Sequence, residues 1–421
     1  MDNNHGVHFV TIVAQNYLAY AYVLGESVRE HHPGSSFHIF VMDDIDGRVS
    51  REIAERGFGL VRPTDVDIQD YREFVFKYTL TEACTGVKPF VLKFLLNNGA
   101  AKAIYLDPDM RCYREMTEVI EALDSASIVL TPHSTSPVPP NLCVDDFLFL
   151  ETGTFNLGFI AIRGGAIARD FLSWWCDRLR DWCLNLREMN LFVDQKWVDL
   201  VPAYFEDVFI LKNLSYNIAY WNLHERSLCE REGRLFVEQS GEPVTLIHFS
   251  GIDVNDLSRI AKYVARNPFD LFGRLDNLQY SLVNRPDLAR VFREYSEAVI
   301  AHGSADYSQR LYAYDYYSNG DKISELERRL FIRRRVKDGD PFSVGTGSYW
   351  AICRRNGVRA LHGRDAVEVD SLGFIYRFLQ WILETGSRIC LRILSPAHYE
   401  KLCKYVSHWC LLINQGSLLK R

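Results

Sequence analysis

An α/β fold, a mixed and mainly parallel Rossmann-like sheet followed by an α-helical C-terminal region, is predicted by three observations on this 421-residue chain. Residues 8–42 read strand, helix, strand, the unit that binds mononucleotides. The short apolar run from Ala103 to Leu106 ends in Asp107-Pro108-Asp109. Pro108 cannot donate to a sheet ladder, so an interior strand should stop there and turn. Past Gly251 the strand signals fade and helical spacing takes over.

Taken in order, residues 8–13 form the first strand, and residues 17–31 carry helical spacing at Leu18, Tyr22, Gly25 and Val28. Residues 37–42 give a second strand closing with Asp43-Asp44, and residues 88–97 a helix leading into the 103–106 strand. Residues 127–130 and 155–162 are further buried strands, the latter with Asn156 and Gly158 near its start, followed by a Trp- and Leu-rich helix over 166–186. Residues 208–211 and 244–249 complete the strands; helices follow at 277–302, 322–335, 344–356 and 371–394. The chain is therefore expected to divide into an α/β domain over 1–260, opening with a mononucleotide-binding unit, and a basic helical region over 261–421. Open α/β sheets bind ligands beyond the carboxyl ends of their strands, which is where Asp107 and Asp109 stand.

A hydrophobic content of 48% and a charged content of 24% are those of an ordinary globular protein. The first residues lack a signal-peptide pattern, and no run approaches the roughly 18 to 20 apolar residues of a membrane span, so a cytoplasmic location is expected. Ten cysteines contain no C-x-x-C pair, which argues against a zinc ribbon or a redox motif and for small buried hydrophobes. The net charge of -6 combines +9 over residues 322–421 with -15 over the rest. The basic segment holds Arg328, Arg329, Arg333, Arg334 and Arg335, then interleaves Tyr376, Trp381, Tyr405 and Trp409 with Arg377, Arg388, Lys401 and Lys404. Such a mixture suits peripheral contact with the inner face of a membrane, the alternative being a helical subdomain with a solvated basic face. The acidic remainder argues against nucleic acid.

Two hard oxygen ligands on a tight turn suit Mg²⁺ or Mn²⁺ shared with a diphosphate. His248 lies at the end of its own strand, and an imidazole beside two carboxylates favours Mn²⁺. Gly251, three residues on, lets backbone approach a phosphate. With these parts in order, the chain resembles the retaining glycosyltransferases of the type that includes glycogenin and the lipooligosaccharide galactosyltransferases, glycosyltransferase family 8. The resemblance covers residues 8–255. Asn16-Tyr17, Ala19-Tyr20, Ser27-Val28 and His32-Pro33 resemble the family's first helix, and Tyr105-Leu106-Asp107-Pro108-Asp109 its metal motif. Phe155-Asn156-Leu157-Gly158 resembles the strand that faces the sugar, Asp194-Gln195 the pair beside the reacting carbon, and His248-Phe249-Ser250-Gly251 the ending that supplies the third metal ligand.

That resemblance implies a GT-A fold, a nucleotide-sugar donor, most simply a UDP-sugar, and Mn²⁺ (or Mg²⁺) held by Asp107, Asp109 and His248. It implies donor contacts from Thr11, Ala14, Asn16, Tyr17, Lys93, Asp107 and Gly251, catalytic parts for Asn156, Asp194 and Gln195, and retention of configuration. Gln195 is a poor nucleophile, so front-face attack is implied, with Asp194 the better candidate for any covalent intermediate. The chain departs from the family where a phosphate-gripping lysine is replaced by Val254, with Arg259 and Lys262 nearby. Ala14-Gln15 replaces an acidic pair, and Lys93, or else Lys88, stands for an arginine. Between residues 216 and 226 aromatic faces alternate with polar tips, a mixture that suits pyranose rings; Trp221 and His224 are expected on the acceptor side, and Glu82 and Lys88 are expected to pair near the donor. The expected task is transfer of a hexose to a saccharide or lipid-linked saccharide acceptor in surface polysaccharide or lipopolysaccharide synthesis. The rivals are a nucleotidyltransferase that makes nucleotide-sugars and a non-catalytic sugar-binding module.

Overall fold

The computed structural model describes residues 6–139, 142, 144–262, 280–334, 339–358, 385–386, 390, 393 and 396–411. Two compact units emerge, Met1–Gln69 with Leu80–Tyr312, and Asp70–Thr79 with Ala313–Arg421. The division thus falls at Tyr312, where a domain boundary near residue 260 was expected.

The first unit begins β1 (Val7–Val13), α1 (Leu18–His31), β2 (Ser36–Val41), α2 (Gly47–Glu55), β3 (Gly59–Val61). After α3 (Tyr71–Phe76), which belongs to the second unit, come α4 (Leu80–Gly86), α5 (Lys88–Asn97), β4 (Lys102–Leu106), β5 (Met110–Cys112), α6 (Thr117–Ser125) and β6 (Ile128–Pro132). Then follow α7 (Asp146–Thr152), β7 (Phe155–Arg163), α8 (Ala166–Trp182), the short pair β8 (Asn185–Leu186) and β9 (Leu191–Phe192), α9 (Gln195–Val198), α10 (Val201–Tyr204) and β10 (Val208–Ile210). A hairpin of β11 (Leu228–Arg231) and β12 (Arg234–Val237), then β13 (Leu246–His248), α11 (Pro286–Ala301) and α12 (Ser304–Tyr307) complete it.

Seven strands form one sheet in the order β10-β6-β7-β4-β1-β2-β3. All neighbours are parallel except at β7, which runs antiparallel to both β4 and β6. This is the mixed, mainly parallel GT-A arrangement. β6 is buried along its whole length and β7 at every residue but the last, as expected of strands covered on both faces, and this is why their sequences read as unbroken apolar runs. Local chemistry starts the helices: Asp46 caps α2 by accepting from the backbone N–H groups of Arg48 and Val49, and Pro89 opens α5. Gly25 lets α1 approach the sheet, because a Cβ there would lie 2.7 Å from the Phe58 ring and 2.8 Å from that of Phe37.

One element that the sequence did not announce sets up the site. After Pro108 the chain turns, with the Met110 N–H on the Asp107 carbonyl at 3.1 Å, and extends again as β5. This three-residue strand pairs antiparallel with β13, placing His248 opposite Met110. The expected strand over 244–249 therefore lies in a separate two-stranded ribbon and not at the edge of the large sheet. Phe249 donates its backbone N–H to the Asp109 carbonyl at 2.8 Å and stacks on Tyr295 of α11, with ring centroids 3.8 Å apart. Segment 286–301, expected in the C-terminal region, is thus part of the first unit's core.

In the second unit α3 packs with α13 (Glu325–Arg334) and α14 (Tyr349–Arg355). Phe76 meets Phe331, Phe342 and Tyr349 at centroid distances of 4.7, 5.0 and 5.6 Å. Arg328 and Arg329, expected on a basic outer face, are both 1% exposed. Arg328 donates to the carbonyls of Val75, Phe76 and Tyr314 and pairs with Asp315 at 2.8 Å. Beside it, fully buried Glu327 accepts from Ser324, Tyr317 and Arg354. These two arginines are interior struts and are unavailable to a membrane. Most of the expected helix 371–394 lies outside the described residues; beyond it, Pro396–Cys410 is helical, with Tyr405 exposed. Among the described residues no helix is long and apolar enough to cross a membrane.

Candidate functional site

Asp107 and Asp109 flank Pro108 at the end of β4, and the β5–β13 ribbon brings His248 back over them. The His248 Nε2 lies 3.1 Å from Asp109 Oδ1 and 3.7 Å from Asp107 Oδ2. One ligand atom from each of the three residues lies within 4.8 Å of the others. Two carboxylate oxygens and one imidazole nitrogen on a common focus fit a divalent cation of the Mn²⁺ or Mg²⁺ kind, with open positions left for a further oxygen ligand.

Gly158 of β7 closes the floor of this focus. Its carbonyl accepts the Asp107 N–H at 2.7 Å, and a Cβ at this position would lie 2.6 Å from His248 Cε1, 2.8 Å from Asn156 Oδ1 and 2.9 Å from Asp107 Oδ2. Three polar groups converge on space that a single methyl group would fill. Gly158→Ala is expected to weaken Mn²⁺ binding at least tenfold and to cost about 1 to 3 kcal/mol of stability, the usual range for overpacking. Calorimetric titration and thermal melting measure both, and wild-type metal affinity in this variant would contradict the described geometry.

Behind the focus lies a buried charge cluster. Lys88, at the first position of α5, points its Nζ 2.9 Å from Asp194 Oδ2, 3.7 Å from Asp107 Oδ1 and 2.8 Å from the Leu157 carbonyl. Burial by itself lowers the pKa of this ammonium, but Asp194 and Asp107 outweigh it and the net shift is upward. Tyr105, its phenol kept protonated by burial, donates to Asp107 Oδ1 at 2.5 Å. Burial also pushes Asp194 up to about 6 against the attraction of Lys88. With the folded-state value above the ordinary 3.8, this group's contribution to stability is complete below the ordinary value and is lost as pH rises through about 6. Asp194→Asn is expected to remove that decline, so the melting-temperature difference between variant and wild type should grow across this window; a flat difference would contradict the assignment.

Gln195, the next residue, donates its side-chain amide to the Thr152 carbonyl at 2.8 Å and faces the Leu157 N–H with its oxygen. Asn156 is buried on β7 and offers Nδ2 to His133 Nε2 at 3.3 Å. Burial lowers the His133 pKa to about 4, so that ring is neutral and able to accept. Lys88 joins Asp194 to Asp107 at the end of β4, while Asn156 and Gln195 flank the neighbouring Leu157–Gly158 backbone of β7. Of the two lysines, Lys88 reaches the acids; Lys93 lies a turn and a half further along α5. Glu82 accepts the Asn185 backbone N–H at 2.7 Å, while Lys88 takes the carboxylates described above.

The loop after β1 forms a short 3-10 turn at Gln15–Tyr17. Asp43, following β2, accepts the Gln15 N–H at 2.8 Å, and Arg310 donates to the Gln15 side-chain oxygen at 2.9 Å. Ala14 is buried, and Tyr17 stacks on Tyr20 with centroids 4.0 Å apart. Among the described residues, Thr11 Oγ1 and Asn16 Oδ1 are buried without a hydrogen-bond partner, a condition that native proteins rarely leave unexplained. At the other end, Val254 packs into the core and its carbonyl accepts from Ser296. The Lys262 N–H closes on the Gly251 carbonyl at 2.9 Å, with the lysine side chain exposed. Trp221 is buried rather than open, edge-on to His248 at 5.1 Å, with its indole N–H unpartnered among the described residues. His224 is half-buried and meets Ser134 at 3.2 Å.

No family model matches the chain. Two curated proteins of Bacillus subtilis (strain 168), both uncharacterized, are similar to it. YfnF is 24% identical over 259 residues, 60% of this chain and 84% of YfnF; YfnD is 22% identical over 248 residues, 58% of this chain and 77% of YfnD. Among solved structures, the galactosyltransferase LgtC in complex with donor and acceptor sugar analogs is similar at 16% identity and a TM-score of 0.38, over 57% of this chain and 86% of that one. The apo-form glycosyltransferase GlyE of Streptococcus pneumoniae TIGR4 is similar at 14% identity and a TM-score of 0.40, over 77% of this chain and 72% of that one.

Proposed function

We propose that this chain is a divalent-metal-dependent glycosyltransferase that moves a hexose from a nucleotide diphosphate sugar, a UDP-sugar in the first instance, onto a saccharide or lipid-linked saccharide acceptor with retention of configuration. The observation that carries the reading is the convergence of Asp107, Asp109 and His248 on one focus, beside the buried Lys88–Asp194 pair and the amides of Asn156 and Gln195. Asp107, Asp109 and His248 would hold Mn²⁺, whose Lewis acidity offsets the negative charge that builds on a departing diphosphate. Thr11 and Asn16 bring unpartnered oxygens to the nucleoside end. Lys262, beside Gly251, is the candidate grip on the phosphates, because Val254 is turned into the core.

Asp194 places a carboxylate near the side where the anomeric carbon becomes cationic, and Lys88 keeps it ionised at neutral pH. Asn156 and Gln195 orient sugar hydroxyls. Gln195 is held by backbone groups on both sides and is a poor nucleophile, so front-face attack fits these residues better than a stable covalent intermediate on it. A nucleotidyltransferase is disfavoured by the first loop, Ala14-Gln15-Asn16-Tyr17, which lacks the Gly-rich, basic character needed to cradle a triphosphate.

The test is isothermal titration of the full chain with UDP, with and without Mn²⁺, followed by a screen of UDP- and GDP-sugars for Mn²⁺-dependent hydrolysis. Binding of UDP that needs Mn²⁺, with turnover of one UDP-hexose, is the expected result. Nucleotide binding indifferent to metal, with no hydrolysis of any sugar nucleotide, would overturn the reading.

A further inference from the structure

We infer that Asn217 is the positioning residue of this site: it holds the proton of His248 on Nδ1, so that Nε2 is presented to the focus shared with Asp107 and Asp109. The inference rests on the metal-dependent reading above and adds to it a residue that is not among the expected metal ligands or catalytic residues. Asn217 is fully buried and adopts φ +52°, a left-handed conformation that asparagine tolerates better than most residues. Its backbone carbonyl is fastened by Asn222 Nδ2 at 3.0 Å and Arg226 Nη1 at 3.2 Å. The next residue, Ile218, accepts the His248 backbone N–H at 2.8 Å. Both side chains therefore stand on a main chain that is locked in place.

The direction of the hydrogen bonds follows from a group that cannot be reversed. The Gly158 backbone N–H points at the oxygen of Asn156, 3.1 Å away, so this atom is the acceptor end of the Asn156 amide. The Asn217 atom that faces it at 3.1 Å must then be the NH₂ group, which also reaches Thr131 Oγ1 at 3.0 Å. Both Asn217 protons are now spoken for, and its oxygen is turned the other way, 3.2 Å from His248 Nδ1. A carbonyl oxygen only accepts, so Nδ1 carries a proton. In the neutral ring this leaves the Nε2 lone pair for a cation, the arrangement in which a partner on one ring nitrogen sets the tautomer and orientation of the other. Neutral His133, accepting from the far end of Asn156, terminates the chain in the same direction.

The experiment is ¹⁵N NMR of the full chain labelled at histidine, at mildly alkaline pH, with the His248 signals identified by their absence from His248→Gln. Nδ1 is expected to be protonated both without divalent metal and with saturating Mg²⁺; an unprotonated Nδ1 in either state would overturn the inference. Asn217→Gly keeps the left-handed backbone accessible and deletes the amide. It should scramble the ring protonation and weaken Mn²⁺ binding, read by calorimetry, about 10- to 100-fold. Asn217→Asp, which retains an acceptor toward Nδ1, should restore the ring signature. Unchanged Mn²⁺ affinity in Asn217→Gly would also overturn the inference. Failure of the wild-type chain to take up any divalent metal sinks the enzymatic reading instead, while the metal-free ring signature still decides the part played by Asn217.

Discussion

Asp109→Ala is expected to abolish Mn²⁺-dependent UDP binding, raising its Kd by more than about 100-fold, since loss of a direct ligand exceeds the 10- to 100-fold typical of outer partners. Hexose transfer should fall with it. The melting temperature should move by only about 2 °C. The reason is that Asp109 holds the fold through its backbone, whose carbonyl accepts the Phe249 N–H, while its side chain adds a second negative charge next to Asp107. Removing one member of such a pair relieves repulsion as readily as it loosens packing. Calorimetric titration beside a thermal melt separates the two effects. Metal-dependent UDP binding that survives the substitution would show that the β4–β5 turn is a structural Asx turn and nothing more.

The second large effect concerns stability. Arg328→Ala is expected to cost about 3 to 5 kcal/mol, the range for breaking a buried ion pair by removing one partner. The guanidinium is nearly inaccessible and serves the carbonyls of Val75, Phe76 and Tyr314 together with the Asp315 carboxylate. Its loss leaves those acceptors unpaired in the interior. Arg328→Lys should recover little, because an ammonium cannot span the fork of acceptors that a planar guanidinium reaches. Differential scanning calorimetry should show an earlier transition for the second unit in both variants. A melting profile unchanged from wild type would return Arg328 to the solvated basic face that the sequence suggested.

Much of the first unit is legible because periodicity and burial agree there. The helix over 88–97 and the strands near 7–13, 36–41, 102–106 and 155–163 emerge within a residue or so of their expected limits, since interior strands read as plain apolar runs. The elements that escape notice are those with too few residues to carry a period: β3, β5 and β9 have three, three and two residues. Asn217 escapes for another reason. Asparagine in a loop is ordinary, and its value comes from Thr131, Asn156 and His248, which lie 86, 61 and 31 residues away. The choice between Lys88 and Lys93 turns on helix rotation: five residues apart, the two point in different directions from α5. Arg328 and Arg329 lie in the interior while Arg333 of the same helix is exposed, a distinction that a run of like charges does not carry until its acceptors are seen.

By itself the sequence determined that an α/β unit opens the chain, that one interior strand ends in two carboxylates around a proline, and that a histidine closes a later strand; residue type and local spacing suffice for these. Only the tertiary structure decided that β5 exists and pairs with β13, that His248 is thereby carried to Asp109 from 139 positions away, that Gly158 leaves room for the meeting, and that one buried amide orients the ring. Such matters depend on register and direction between distant segments, and no local pattern encodes them, because a strand or an amide chooses its partner by what the rest of the fold leaves unsatisfied.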